Sequence, residues 1–192
     1  MKIFNTENGS VPVGSGYLYA TLAKDFTENY DLETMDDLGY IKEGESAKLT
    51  SEPEMLEVGS ANKGDVGSAV KKYVTTFETG IISYNPVTVA KYLTGSDVDD
   101  VTVGNKTGKR TYGNTNMQRP EIALVFVGTD EITGEEIRLV MPKCVWTAAY
   151  ELDFNTDDPV ALNYAFKCLD TMLPNGKRGA FWRDDLTGAV AE

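Results

Sequence analysis

The chain has 192 residues, of which 41% are hydrophobic and 25% charged, and these values predict a globular domain with a substantial hydrophobic core. It contains 30 acidic and 18 basic residues, and the formal net charge of −12 argues against a protein that binds nucleic acid or anionic membranes. The absence of histidine from the sequence excludes Ser-His-Asp triads, Cys-His pairs and His-based metal sites.

Neither a signal peptide nor a membrane anchor is expected. The N-terminal residues lack the apolar run of a signal peptide, and no apolar segment approaches the length of a membrane span. Cys144 and Cys168 both lie within apolar segments. We expect them to be reduced and buried, with a bridge between neighbouring strands as the alternative.

Strand and turn patterns dominate the first sixty residues. Residues 11–16, VPVGSG, predict a turn, and residues 16–22, GYLYATL, predict a strand. Two more strands are predicted by LGYIKEG at 38–44 and EMLEV at 54–58. The acidic residues 24–38 predict a solvated loop with one helical turn.

A long strand is predicted at residues 69–84, AVKKYVTTFETGIISY. Gly80 within it indicates a bulge, or a bend where the strand changes partners.

The best helix signal in the chain is NPVTVAKYLTG, which follows this strand. Asn85 suits the N-cap, Pro86 the first helical position and Gly95 the end of the helix. Val89 and Leu93 lie four residues apart, on the face that we expect to pack against a sheet.

Residues 96–119 form a long polar excursion, in which we predict a small hairpin of residues 101–103 against 109–112. The next segment, EIALVFVGTDEITGEEIRLVMPK at 121–143, predicts two strands joined by a polar turn at 129–136.

Residues 158–170, DPVALNYAFKCLD, are compatible with either a helix or a strand. Their apolar residues recur with a period of two, which favours a strand. An Asn-Gly turn at 175–176 and a final short strand follow. Together these elements predict a mainly β fold, a β-sandwich or open barrel with one short flanking helix.

The sequence contains no strong motif for catalysis or for ligand binding. VGSG at 13–16 lacks the preceding strand and following helix of a phosphate loop, and the Asp clusters do not have calcium-loop spacing. No two carboxylates are placed as in a glycosidase, and the apolar surroundings of both cysteines disfavour a reactive thiol. We therefore expect no enzyme activity, no cofactor and no metal site. Trp146, Trp182 and the ten tyrosines permit a sugar-stacking surface, although such residues more often lie in cores or interfaces.

Charge is unevenly distributed along the chain. Acids cluster in residues 24–38, and bases cluster in the excursion after the helix. One interpretation is two solvated loops. The other is that the basic loop of one subunit meets the acidic segment of another, because complementary patches steer assembly. The residues proposed for this contact are Asp25, Glu28, Asp31, Glu33, Lys106, Lys109 and Arg110.

In their order, these features resemble the major tail (tail tube) proteins of tailed bacteriophages. The resemblance rests on VPVGSGYLYA, LGYIKEG, TTFETGIISYNPVTVAKYLTG, RLVMPKCV, DPVALNYAFKCLD and NGKRGAFWRDD, and it covers roughly residues 11–185. These are patterns of turn glycines and strand hydrophobics, so the resemblance implies no catalytic or cofactor residue.

The resemblance implies one tail-tube-like domain over residues 1–192. Six copies of such a domain close into a ring with a continuous inner barrel of about 24 strands, and rings stack into a conduit for DNA. It further implies self-association, tape-measure, terminator and tip or baseplate partners, assembly in the host bacterial cytoplasm, and a place in the virion tail. DNA would pass without specific binding. Flexible and contractile tails, bacteriocins and secretion tubes all fit the resemblance.

Two physical features agree with a tube. A ring removes open strand edges, and an acidic lumen repels the phosphates of passing DNA. The mixed strand YVTTFETG suits a wet wall, with Thr75, Thr76, Glu78 and Thr79 as the proposed lumen residues. The alternative hypothesis is an extracellular β-sandwich binding module, such as an adhesin or carbohydrate-binding domain.

Overall fold

A computed structural model of the chain describes residues 12–41, 47–60, 64–81, 85–112, 118–130, 136–148 and 162–186. These residues are mainly β, as predicted, with one short helix. The strands are β1 (Pro12–Leu22), β2 (Asp36–Tyr40), β3 (Lys48–Ser60), β4 (Gly64–Ile81), β5 (Val98–Val103), β6 (Lys106–Thr111), β7 (Ile122–Asp130), β8 (Glu136–Trp146), β9 (Leu162–Cys168), β10 (Thr171–Met172), β11 (Arg178–Gly179) and β12 (Trp182–Leu186).

One large antiparallel sheet has the order β2-β1-β7-β8-β9-β4-β3. The predicted hairpin at 121–143 is confirmed as the pair β7–β8, near the middle of this sheet. The sheet divides at β8, because β12 pairs with residues 136–140 and β9 pairs with residues 144–146. Two small hairpins, β5–β6 and β10–β11, stand apart from the sheet.

The main core lies on one face of this sheet. It contains fully buried side chains from β1, β4, β7, β8 and β9 and from the helix. The rings of Phe77 on β4 and Phe126 on β7 are 6.0 Å apart between centroids, although two strands separate β4 from β7 in the sheet order. The sheet therefore curves strongly enough for distant strands to share one core.

The opposite face has a second, smaller core around Val125 and Val140. The acidic segment covers it, because Phe26, Tyr30 and Met35 pack there. The predicted helical turn is confirmed as a 3-10 turn at Leu32–Thr34. The expectation of a solvated loop is wrong for the apolar side chains of this segment, because they alternate with the acids and face the sheet.

The predicted helix is confirmed with its capping residues. The Asn85 carboxamide oxygen accepts a hydrogen bond from the Val87 N–H at 3.0 Å, and the helix α1 spans Pro86–Val89. It continues as a π-helical turn, Ala90–Thr94, and ends at Gly95, whose φ of +66° favours glycine. Val89 and Leu93 are buried as predicted, whereas the π-helical geometry was not anticipated.

Several local predictions need correction. VPVGSG is not a turn, because β1 already begins at Pro12. The predicted register of the β5–β6 hairpin is wrong: Val103 pairs with Lys106 across a two-residue turn, in which Gly104 has a φ of +61°. The prediction for Gly80 is wrong: it forms no bulge and marks no change of partner, because it pairs with Asn163 within a continuous run of β4–β9 pairs from Thr75 to Ile81.

The strand predicted from the period of two is confirmed as β9, and the Asn-Gly turn is confirmed between β10 and β11. The strand predicted at 54–58 is the middle of a longer β3. Residues 131–135 of the turn predicted at 129–136 lie outside the described residues.

Candidate functional site

The long hairpin β3–β4 extends beyond the rest of the sheet. Pairing between its strands runs from Lys48 opposite Glu78 to Ser60 opposite Gly64, whereas β9 pairs only with residues 75–81 of β4. Residues 52–60 and 64–74 therefore form a two-stranded ribbon with no third strand among the described residues. We call this ribbon the arm. Because isolated two-stranded ribbons are marginally stable in water, the arm needs a further contact to be well ordered.

One face of the arm continues the face that packs the core. Leu49 on β3 pairs with the fully buried Phe77, and the next pair on this face is Ser51 with Thr75, whose hydroxyl oxygens are 3.1 Å apart. Because side chains alternate along a strand, the following residues on the same face are Pro53 and Met55 of β3.

These two residues pair with exposed apolar residues of β4. Pro53 lies opposite Tyr73, and Met55 lies opposite Val70. Tyr73 is 58% exposed, and Met55 and Val70 are each 47% exposed. We call these four residues the apolar ladder. The face of β3 and β4 that packs the core therefore continues onto the arm, where its apolar side chains are exposed.

The other face of the arm is charged. The Glu54 carboxylate lies between two ammonium groups, with Lys71 at 2.8 Å and Lys72 at 3.1 Å. Their hydrogen bonds, that from Lys71 first, hold the pKa of Glu54 below its usual value. The extra residue on β4 at this position is Lys71, since Glu54 pairs with Lys72 and Met55 already pairs with Val70. Where its side chains are described, at residues 52–55 and 70–74, the arm is therefore amphipathic, with an apolar face and a face that carries these charges.

The opposite end of the sheet also presents exposed aromatic residues. Tyr17 on β1 pairs with Tyr40 on β2, their ring centroids are 6.4 Å apart, and each side chain is about half exposed. Among the described strands, β2 and β3 lie at the two ends of the sheet order, so each presents an edge that another strand can join. Pro53 interrupts strand addition along β3, because proline has no N–H to donate.

The residues proposed for the contact between subunits fall into two separate groups. Asp25, Glu28, Asp31 and Glu33 are exposed on the segment between β1 and β2, and Lys106, Lys109 and Arg110 are exposed on β6. Within the described part of one chain, no ion pair joins the two groups.

The β5–β6 hairpin is not a basic patch, contrary to what its bases alone suggested. The Lys109 ammonium is 2.6 Å from the Asp100 carboxylate, and Arg110 pairs in register with Asp99. Residues 97–112 contain three acids and three bases, so their formal charge is zero. Lys106 differs from the other two bases, because it lies opposite Val103 beside the turn. The acids of residues 97–100 were the signal that the sequence prediction missed, and the cross-strand register places two of them opposite Lys109 and Arg110.

The proposed lumen residues divide between the two faces of β4. Thr75 and Thr79 are buried on either side of Phe77, whereas Thr76 and Glu78 lie on the opposite face, and Glu78 is exposed. The period of two along a strand would have separated these pairs. A channel wall formed by this part of β4 would present Thr76 and Glu78 only.

Two polar clusters hold the acidic segment and β2 in place. The Asp36 carboxylate accepts hydrogen bonds from the Tyr92 hydroxyl at 2.5 Å and from the Lys91 ammonium at 2.8 Å, which ties β2 to the helix. The Tyr30 hydroxyl donates to Asp184 at 3.0 Å, and burial is the main cause that raises the pKa of Tyr30 to about 12. Both clusters therefore join elements of the fold.

In the part of the chain that the structure describes, no three His, Cys, Asp or Glu side chains are grouped to hold a metal ion. No helix within the described ranges has the length and apolar character needed to cross a membrane. No protein-family model matches the sequence, and no curated protein is significantly similar to it.

Proposed function

We propose that the chain is a structural, self-assembling subunit of a phage or phage-like tail tube. Six copies close into a ring, and stacked rings form the conduit through which DNA is delivered. The observation that supports this proposal best is the arm with its bare apolar ladder. A face built like a core but left uncovered in one chain favours a second protein surface as its cover.

The position of the arm suits a ring. The arm lies at the β3 end of the sheet, and the exposed pair Tyr17 and Tyr40 lies at the β2 end. We propose that the apolar ladder of one copy packs against the tyrosine pair of the next. Such a head-to-tail contact uses two different surfaces of each copy, and it generates a closed ring when the rotation between copies closes.

Ring closure also relieves the two open edges of the sheet. Pairing β2 of one copy with β3 of the next would build the continuous inner barrel. Pro53 limits this pairing at one position on β3, so the contact of the apolar faces supplies the rest of the interface. In this arrangement the sheet of each copy forms one sector of a larger barrel. The barrel is then complete only in the assembled ring.

Charge supports passage of DNA without adhesion. Six copies at −12 each would give a ring a formal charge of −72. Glu78 and Thr76 are the residues of β4 that we assign to the lumen, because their face of the strand is accessible. Fixed negative charge along the wall would repel phosphates and keep the lumen free of bound DNA. The tape-measure protein and the terminator, tip or baseplate proteins are the further partners proposed.

Stacking of rings is proposed to use the β5–β6 hairpin and the acidic segment. Val103 at the tip of the hairpin is 66% exposed, and Lys106 lies opposite it. We propose that Lys106 forms ion pairs with acidic residues of the adjacent ring, which are Asp25, Glu28, Asp31 and Glu33. Lys109 and Arg110 act mainly within the hairpin, where they hold its two strands together.

A second candidate function is the extracellular binding module, and a cleft supports it. This cleft is lined by Phe26, Glu28, Leu173 and Trp182. An adjoining cleft is lined by Glu28, Leu173, Trp182 and Asp184. An aromatic face beside carboxylates is typical of sugar-binding surfaces. Trp146 does not contribute, because it is buried.

Sedimentation velocity over a wide range of protein concentration tests the proposed function. A tube subunit is expected to form a species of six copies, or larger ones, as the concentration rises. A chain that stays monomeric at every concentration, even with tail tips added as seeds, would exclude the tube. Binding to a glycan array by that monomer would then favour the binding module.

A further inference from the structure

The two cysteines of the chain meet in the main core. Cys144 on β8 lies directly opposite Cys168 on β9, and their sulfur atoms are 3.4 Å apart. Both side chains are buried, and both are free thiols. Nothing in the proposed function depends on this pair, so it stands as an independent observation.

The hydrogen-bond pattern around the cysteines shows that their geometry suits a bridge. The Leu169 N–H donates to the Lys143 carbonyl at 2.8 Å, and the Thr147 N–H donates to the Ala165 carbonyl at 2.7 Å. These bonds make 143/169 and 147/165 hydrogen-bonded residue pairs. Hydrogen-bonded and non-hydrogen-bonded pairs alternate along an antiparallel ladder, so Cys144 and Cys168 form a non-hydrogen-bonded pair.

At such a pair the Cα atoms are about 4.5 Å apart, which lies within the range that a disulfide spans. A change in the side-chain torsion angles is enough to bring the two sulfur atoms from 3.4 Å to the length of a disulfide bond. The backbone hydrogen bonds between β8 and β9 need not change.

Among the described residues, the cysteines also lie where the large sheet has its shortest strand pairing. The pairing of β8 with β9 there involves three residue pairs, whereas β7 pairs with β8 along most of its length. A covalent link at this place would reinforce that short pairing.

We infer that Cys144 and Cys168 are a thiol–disulfide pair, which a small-molecule disulfide such as oxidised glutathione converts into an intrachain bridge between β8 and β9. One cysteine thiolate attacks a sulfur of the reagent and releases one glutathione thiolate. The other cysteine then attacks the mixed disulfide and releases the second. The cysteines lose two protons and two electrons, and the reagent is reduced to two thiols.

The rate of oxidation depends on how often the buried thiols become accessible to the disulfide reagent. Burial, and the Cys168 sulfur beside it, raise the pKa of the Cys144 thiol well above its usual value. Thiolate is therefore scarce in the closed fold, and oxidation proceeds when the junction opens locally. Once formed, the bridge closes a loop of about 25 residues and restricts the unfolded chain.

The test is oxidation of the full chain with oxidised glutathione, on the native protein and during refolding from denaturant. Peptide mapping under non-reducing conditions identifies the products, and thermal unfolding is followed before and after treatment with dithiothreitol. Cys144→Ala and Cys168→Ala are the controls, because each retains a single thiol that can form only a mixed disulfide. The mapping of the wild-type protein remains informative if either variant fails to fold.

We expect a peptide that links Cys144 to Cys168 within one chain, with a mass lower by two hydrogens. The oxidised protein should unfold about 5 °C or more above the reduced one, and dithiothreitol should reverse the shift. The inference is overturned if both thiols still react with a thiol reagent after denaturation. It is equally overturned if the bridge joins two chains, or if the bridged chain unfolds at a lower temperature.

Discussion

Met55 and Val70 lie directly opposite each other on β3 and β4, on the face that packs the core further along the same strands, and both are about half exposed. At this pair, the face of β3 and β4 that is buried in the core further along the strands is exposed to solvent. A face of this kind costs free energy while water covers it, and covering it with a second copy recovers part of that free energy.

The apolar ladder can be tested by a matched pair of substitutions. Met55→Gln places a polar group on the apolar face, whereas Glu54→Gln introduces the same residue one position away on the charged face. We expect Met55→Gln to raise the concentration needed for assembly by about tenfold, because it removes roughly 1.4 kcal/mol of burial at the contact. Sedimentation velocity of both variants measures this concentration.

Glu54→Gln should assemble close to the wild-type concentration, since exposed ion pairs contribute little. Both variants should unfold within about 0.5 kcal/mol of the wild type, because the substituted side chains are at the surface. Equal assembly of the two variants would mean that the apolar ladder is not part of the interface.

The hairpin charges can be tested by reversal and by exchange. We expect the double variant Lys109→Glu and Arg110→Glu to block tube elongation, because it leaves Asp99 and Asp100 facing like charges and separates the strands of the hairpin. The exchange of Asp100→Lys with Lys109→Asp retains an opposite-charge pair. It should elongate, with tube length measured by electron microscopy. Tubes of normal length from the double reversal would contradict the role given to the hairpin.

Thr75 and Thr79 provide a stability test of the buried face of β4. Within the described residues, the Thr79 hydroxyl is buried without a hydrogen-bond partner, whereas the Thr75 hydroxyl contacts that of Ser51. Thr79→Val should stabilise the fold by about 1 kcal/mol, and Thr75→Val should destabilise it by about 0.5–1 kcal/mol. Urea unfolding of the two variants measures both. Equal effects would mean that the two hydroxyls have the same surroundings.

Asp36 should make stability depend on pH. Hydrogen bonds from Lys91 first, and then from Tyr92, lower the pKa of Asp36 in the folded chain. Its contribution is therefore present above the unfolded-state pKa of about 4 and is lost as the pH falls through the lower folded value.

Because the Asp36 side chain is half exposed, we expect this contribution to be below about 1 kcal/mol. Urea unfolding of the wild type and of Asp36→Asn at several pH values measures it. The difference between them should be largest near neutral pH and shrink below pH 4. A difference that grows in acid would show that the carboxylate is not stabilised by these partners.

The parts of the fold that follow from local sequence could be predicted. The helix caps at Asn85 and Gly95, the strand of period two at β9 and the hairpin β7–β8 depend on nearby residues, and each is confirmed. The register of β5–β6 was missed because a Gly-Asn pair at the tip allows a tighter turn than the one predicted.

The parts of the candidate site that depend on distant pairing could not be predicted in the same way. The arm exists because β9 stops pairing with β4 at Thr75, which only the strand order reveals. The pairing of Lys109 with Asp100 depends on the register of the hairpin, and the division of the four lumen residues depends on which face of β4 meets the core. Composition alone gave the acidity of the chain, and it gave no indication of where that charge lies.

The most direct test of the tube proposal is negative-stain electron microscopy of the purified protein, concentrated over several hours. We expect rings of six copies, or hollow stacked tubes, with a central pore wide enough for a DNA duplex. Small monomeric particles that persist at high concentration and in the presence of tail-tip seeds would contradict it.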